Sequence, residues 1–114
     1  MTPAERRRLL ELAAKAAGIV LGEHIGIHKD YFANENTGKE WNPADADGDS
    51  RRLEVRLMLE VYHAENDGEI VCVVGYSGPI GRILYIMEPH GDNPCEATRL
   101  AVLRAAAAIG EAMP

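Results

Sequence analysis

Cysteine is scarce in this sequence. There are two in 114 residues, Cys72 and Cys95, and they form no CxxC pair. A disulfide framework or a cysteine-built metal site is therefore not expected, and reduced thiols are the default. Cys72 lies in an apolar run and reads as a small hydrophobe. Long apolar runs are missing too. No stretch reaches the roughly 18 residues that a membrane span needs, and the charged start, Glu5 to Arg8, lacks a signal-peptide core. These absences lead us to expect a cytoplasmic protein, in a host cell, with no membrane partner. Excess positive charge is also lacking: the net charge is −6, which argues against duplex nucleic acid, whose binding rests on phosphate neutralisation.

Recognisable catalytic and metal patterns are absent as well. No GxSxG occurs, and Ser77 is followed by Gly-Pro with no histidine nearby. Gly75, Gly78 and Gly81 do not match GxGxxG and fall between two strands. Asp45, Asp47 and Asp49 invite a calcium reading but fail the EF-hand pattern, because Ser50 stands where the loop glycine belongs and Arg56 where the twelfth-position glutamate belongs. Helix capping accounts better for these acids. The histidines, His24, His28, His63 and His90, are scattered. No catalytic residue, metal ligand or cofactor is expected.

What is present is enough apolar sequence, 46%, for one domain over 1–114 that folds without staples. Thr2-Pro3-Ala4-Glu5 is a helix start with cap, proline and capping-box glutamate. Leu9, Leu12, Ala13 and Ala16 then share a face, and Gly18 is a stop. Arg6, Arg7 and Arg8 read as a solvated face, with an anion or partner contact as the sharper alternative. Asn34–Gly38 is a turn signal within a loose hairpin, Glu23–Phe32 with Lys39–Trp41. Asn66-Asp67-Gly68 is a hairpin turn. Glu69–Tyr76 is apolar on both sides and so is expected to be central in its sheet. Arg82–Glu88 is the next strand, with Ile83, Tyr85 and Met87 on one face. Asn93-Pro94-Cys95-Glu96 starts a last helix that should run to Ile109 and stop at Gly110. Its stripe of Ala97, Ala101, Ala105 and Ala108 suggests close packing and a homo-oligomer.

The run 53–62 is ambiguous: Leu53, Val55, Leu57, Leu59 and Val61 alternate strictly, as in a strand, yet strong helix formers and the preceding aspartates favour a helix. The segment Glu40-Trp41-Asn42-Pro43, then Asp45-Ala46-Asp47-Gly48-Asp49 and a leucine-rich run, resembles small phage and prophage proteins with the phage ABA sandwich domain. Gly91-Asp92-Asn93-Pro94, Ala97-Thr98-Arg99 and the alanine-rich ending are similar to theirs, so the likeness covers roughly 28–110. The resemblance implies an antiparallel sheet between helical layers and carries no general activity. With it, the expectation becomes a helix from about Asp49 to Met58 leading into a strand at Glu60–Ala64. The expected class is α+β, an antiparallel β-meander of three or more strands layered between helices, an α-β-α sandwich.

For function, aromatic rings that stack on bases and arginines that grip phosphate are the parts a nucleotide pocket needs. Tyr31 and Phe32 could flank one loop with Trp41. Trp41, Tyr76, Arg82, Tyr85, His90 and Arg99 are the candidate ligand-binding residues. They point to a small phosphorylated or nucleotide-like ligand, or a host protein. The leading reading is a phage-encoded, non-enzymatic accessory protein that sequesters a nucleotide-derived defence signal. The alternatives are an adaptor or inhibitor acting through the acidic 40–49 segment and an oligomeric surface, and a small hydrolase using His90 with Cys95, whose place in the first turn of a helix would stabilise a thiolate.

Overall fold

Thr2 begins the first helix as its composition demands. In the computed structural model, which describes residues 1–25, 31–77 and 83–114, its hydroxyl accepts the Glu5 N–H at 3.1 Å and Pro3 is the first residue of α1 (Pro3–Ala17). Gly18 closes the helix in the left-handed region, φ 71°, its N–H returning to the last turn. The buried residues are Leu10, Leu12, Ala13, Ala14 and Ala17, so Leu12 and Ala13 of the expected stripe are buried, whereas Leu9 and Ala16 are only half-buried and Leu10, Ala14 and Ala17 take their share of the face. On an alanine-rich helix, neighbouring stripes are almost equally apolar, and the choice falls to tertiary packing.

Three short strands follow: β1 (Leu21–Ile25), β2 (Tyr31–Asn34) and β3 (Glu40–Trp41), antiparallel in that order. Between β2 and β3 the chain turns through Gly38 at φ 69°, with Asn34 and Lys39 bonded across the turn at 2.8 Å. Phe32 pairs directly with Trp41, and both are buried. They are core residues rather than a loop-flanking aromatic pair.

The ambiguous run is a helix that ends early. α2 spans Asp47–Arg56, Met58 takes a left-handed φ of 54°, and β4 (Glu60–Asn66) begins two residues later. The alternation thus has two causes. Leu53 and Leu57 are helical neighbours four apart that both pack into the core, whereas Leu59 and Val61 belong to the strand entry. Val55 stays exposed. Neither Asp47 nor Asp49 caps α2; both lie inside its first turn, and the cap, Ala46, makes no side-chain bond.

β4 and β5 (Glu69–Ser77) are joined by a two-residue turn, Asp67 and Gly68 with φ 52° and 82°, the conformation that matches strand twist. β6 (Ile83–Pro89) pairs on the other side, so β5 is central. Cys72 and Val74 face the core with Leu84 and Ile86 on β6, while Val71 and Val73 lie buried under the opposite face, beside exposed Tyr62, Tyr85 and Met87. The class is α+β, with three helices and two three-stranded antiparallel sheets in a sandwich-like stack.

α3 (Pro94–Ala112) lies between the second sheet and α1. The Asn93 side chain accepts the Glu96 N–H at 3.1 Å, as its motif predicts. Of the stripe offered as a reason for oligomerisation, Ala97, Ala101 and Ala105 are buried within the molecule and serve internal packing, while Ala108 is half-buried. Gly110 does not stop the helix, which continues to Ala112. It is the crossing point with α1: a Cβ at Gly110 would overlap the Leu12 carbonyl. Among the described residues, no helix is long and apolar enough to cross a membrane.

Candidate functional site

The segment 42–49 is where three helices are tied together. Asn42 is 1% exposed. Its backbone N–H donates to Asp49 Oδ2 at 2.9 Å, its amide nitrogen to Asp45 Oδ2 at 3.1 Å, and its amide oxygen accepts from Arg6 Nη2 at 2.9 Å. Arg6 also pairs with Asp45 at 2.7 Å. Arg99 donates from Nε to the Ala44 carbonyl at 2.9 Å and from Nη1 to Asp47 at 2.6 Å. Arg52 pairs with Asp49 at 2.7 Å. Each of the three aspartates is therefore matched to an arginine, from α1, α3 and α2 respectively. The Arg6 guanidinium beside Asp45, helped by Asn42, holds that carboxyl below its ordinary range, against the opposing effect of partial burial. The acidic segment is a latch. Asp45 and Asp47 remain partly exposed at its rim while paired to their arginines.

Two cavities open around the end of α2. The first, about 630 Å³, is lined by Gly18, Lys39, Trp41, Asp49, Arg52 and Arg56, among others. The second, about 610 Å³, is lined by Arg56, Leu57, Met58, Glu60, Gly75, Tyr76, Ser77 and Tyr85. Arg56 borders both. It stands in the last turn of α2, and among the described residues it makes no ion pair. A Cβ on Gly18 would sit 3.7 Å from its guanidinium. That is ordinary contact, so glycine is needed there for the left-handed helix end rather than for room in front of Arg56. In the second cavity, Tyr85 is 58% exposed, and its ring edge lies over Gly75, within 3.2 Å of where a Cβ would be. The missing side chain makes room for the ring to lie close to the sheet.

The candidate residues inferred from sequence are dispersed. Tyr76 and Tyr85 share the second cavity, although pairing of Tyr76 with Leu84 and of Gly75 with Tyr85 puts the two rings on opposite faces of the sheet. Trp41 lines the first cavity but is only 5% exposed. Arg99 is committed to Ala44 and Asp47. His90 faces His63, with Nε2 2.7 Å from Nδ1, rather than forming a nucleophile pair with Cys95. Arg82 lies outside the described residues, as does the backbone of His28; the side chains of His24 and Tyr31 are likewise not described. Cys95 is exposed and Cys72 buried, both free, and burial raises the Cys72 thiol above its ordinary range. Sequence reading missed Lys39, Arg52 and Arg56. Their nearness to Trp41 depends on where α2 ends, and no local pattern states that.

Among the described residues, no three His, Cys, Asp or Glu side chains converge as a metal site. The geometry is that of a mixed-charge groove, with Lys39 and Arg56 beside Glu40 and the Arg52–Asp49 pair, continuous through Arg56 with a cleft that holds Tyr85. Such an arrangement can hold an anionic group beside a planar one. Comparison with known proteins finds no family model, no curated protein and no solved structure that matches this chain.

Proposed function

We infer that the protein binds a small nucleotide-like anion without turning it over. The observation that carries this reading is the position of Arg56. It has no ion-pair partner among the described residues, and it borders both the groove with Lys39 and Arg52 and the cleft with Tyr85. A base would lie on the Tyr85 ring while phosphate oxygens take the Arg56 fork. Sequestration of a nucleotide-derived signal, as a phage accessory protein would perform it, is the sharpest form of this reading.

The test is calorimetry and thermal shift with mono-, di- and cyclic nucleotides. A ligand of this class should raise the unfolding midpoint by several degrees at large excess over its Kd. Arg56→Ala should weaken it by about 1.5–3 kcal/mol, the worth of a charge-assisted hydrogen bond. Tyr85→Ala should cost about 1–3 kcal/mol of stacking. Unchanged affinity in both variants defeats the proposal, and steady product formation replaces it with an enzyme.

A second reading, an adaptor that works through self-association, keeps one observation in its favour. Tyr62, Tyr85 and Met87 stand exposed on the sheet face away from α3. A monomeric mass by light scattering at tens of micromolar would end it.

A further inference from the structure

His63, on a strand of the second sheet, and His90, just past the end of another, lie 27 residues apart in sequence and meet side chain to side chain. His63 sits on the edge strand β4, opposite Cys72. His90 follows Pro89 at the end of the other edge strand, and its N–H is fixed to the Ile70 carbonyl at 2.9 Å. The imidazoles thus bridge the two edges across β5. Nδ1 of His63 and Nε2 of His90 are 2.7 Å apart, with ring centroids at 4.8 Å and planes at 72°. Two ring nitrogens facing each other at this distance share one proton, and at least one of them presents a lone pair. A cation seated to one side of the pair, with both rings turned toward it, would be held by both.

We propose that His63 and His90 form a two-histidine site for a borderline divalent transition metal, of the class of Cu²⁺, Ni²⁺ and Zn²⁺. Metal–imidazole bonds of about 2.0–2.1 Å place two cis nitrogens about 2.9 Å apart at a right angle and about 3.3 Å apart at the tetrahedral angle. The observed 2.7 Å needs to widen by only a few tenths of an ångström. His63 is exposed and His90 half-buried, so a small ring rotation at His63 supplies the change. Neutral nitrogen donors select this class over the hard cations Ca²⁺ and Mg²⁺, which require oxygen. No third His, Cys, Asp or Glu among the described residues joins the pair, so water fills the remaining positions and the metal exchanges with solvent. Between metals, Cu²⁺ binds most tightly. The site stands apart from Arg56, and the two proposals fail independently.

The experiment titrates Cu²⁺ and Zn²⁺ into the full chain, followed by calorimetry and, for Cu²⁺, by its visible ligand-field band. We expect one saturable equivalent, an unfolding midpoint that rises with added Zn²⁺, and a loss of affinity of about tenfold or more in both His63→Ala and His90→Ala, because each variant removes one arm of the chelate. Cys95→Ser should leave the site intact. The unfolding midpoint of each variant without metal separates loss of the ligand from loss of the fold. Absence of saturable binding, or binding unchanged in either His63→Ala or His90→Ala, overturns the assignment. So does loss of binding in Cys95→Ser.

Discussion

Asp45 shows how a single carboxylate couples this fold to pH. Arg6 and Asn42 lower its affinity for protons in the folded state. Its stabilising contribution is therefore present above the unfolded value near 3.8 and is lost as pH falls through the still lower folded value. Asp45→Asn should lower the denaturation midpoint at about neutral pH and abolish that part of the acid-side loss, measured by urea melts across the range below about pH 4. Arg99 is the second residue whose role changes once its surroundings are known. It is mostly buried and bonded to Ala44 and Asp47, so Arg99→Ala should cost about 1–2 kcal/mol of folding stability in the same melts. It should leave ligand affinity in the surviving folded molecules largely unchanged. Arg56→Ala should do the reverse, and comparing the two variants separates latch from site.

Gly110 and Met58 carry the predictions that belong to whole elements. Gly110→Ala pushes a Cβ into the Leu12 carbonyl and must part α1 from α3, at a cost of about 1–3 kcal/mol despite alanine's better helix propensity. A melt showing stabilisation would mean the crossing is looser than described. Met58 is 86% exposed with a φ of 54°. Met58→Gly should relieve about 1–2 kcal/mol of left-handed strain, with little packing lost. These two positions also mark what was legible. The caps at Thr2 and Asn93, the stop at Gly18 and the Asp67-Gly68 turn are local chemistry, decided within a few residues, and they could be read directly. So could the central place of β5, which follows from apolar residues on both its faces. The role of Gly110 was not legible, because a helix stop and a close helix crossing both call for glycine. Arg56 was missed for a similar reason. A cation in the last turn of a helix is expected on dipole grounds alone, and only the fold shows that it also borders two cavities. The buried phase of α1 was undecidable until α3 supplied its partner.

At the scale of the whole molecule, the segment 42–49 holds α1, α2 and α3 through Arg6, Asp49 and Arg99, so loosening it should be felt everywhere. Arg6→Ala together with Arg99→Ala should lower stability by more than the sum of the single losses, because both act on one loop. Strict additivity in urea melts would show two independent contacts. The packing of α1 on α3 has a consequence for biosynthesis. Leu10, Ala13, Ala14 and Ala17 find their main cover in α3, made about 80 residues after them. At typical elongation rates the nascent chain carries that apolar stripe bare for on the order of ten seconds. This part of the core therefore closes only once α3 has been made, and a ribosome stalled before α3 would display a greasy amphipathic helix to every chaperone within reach.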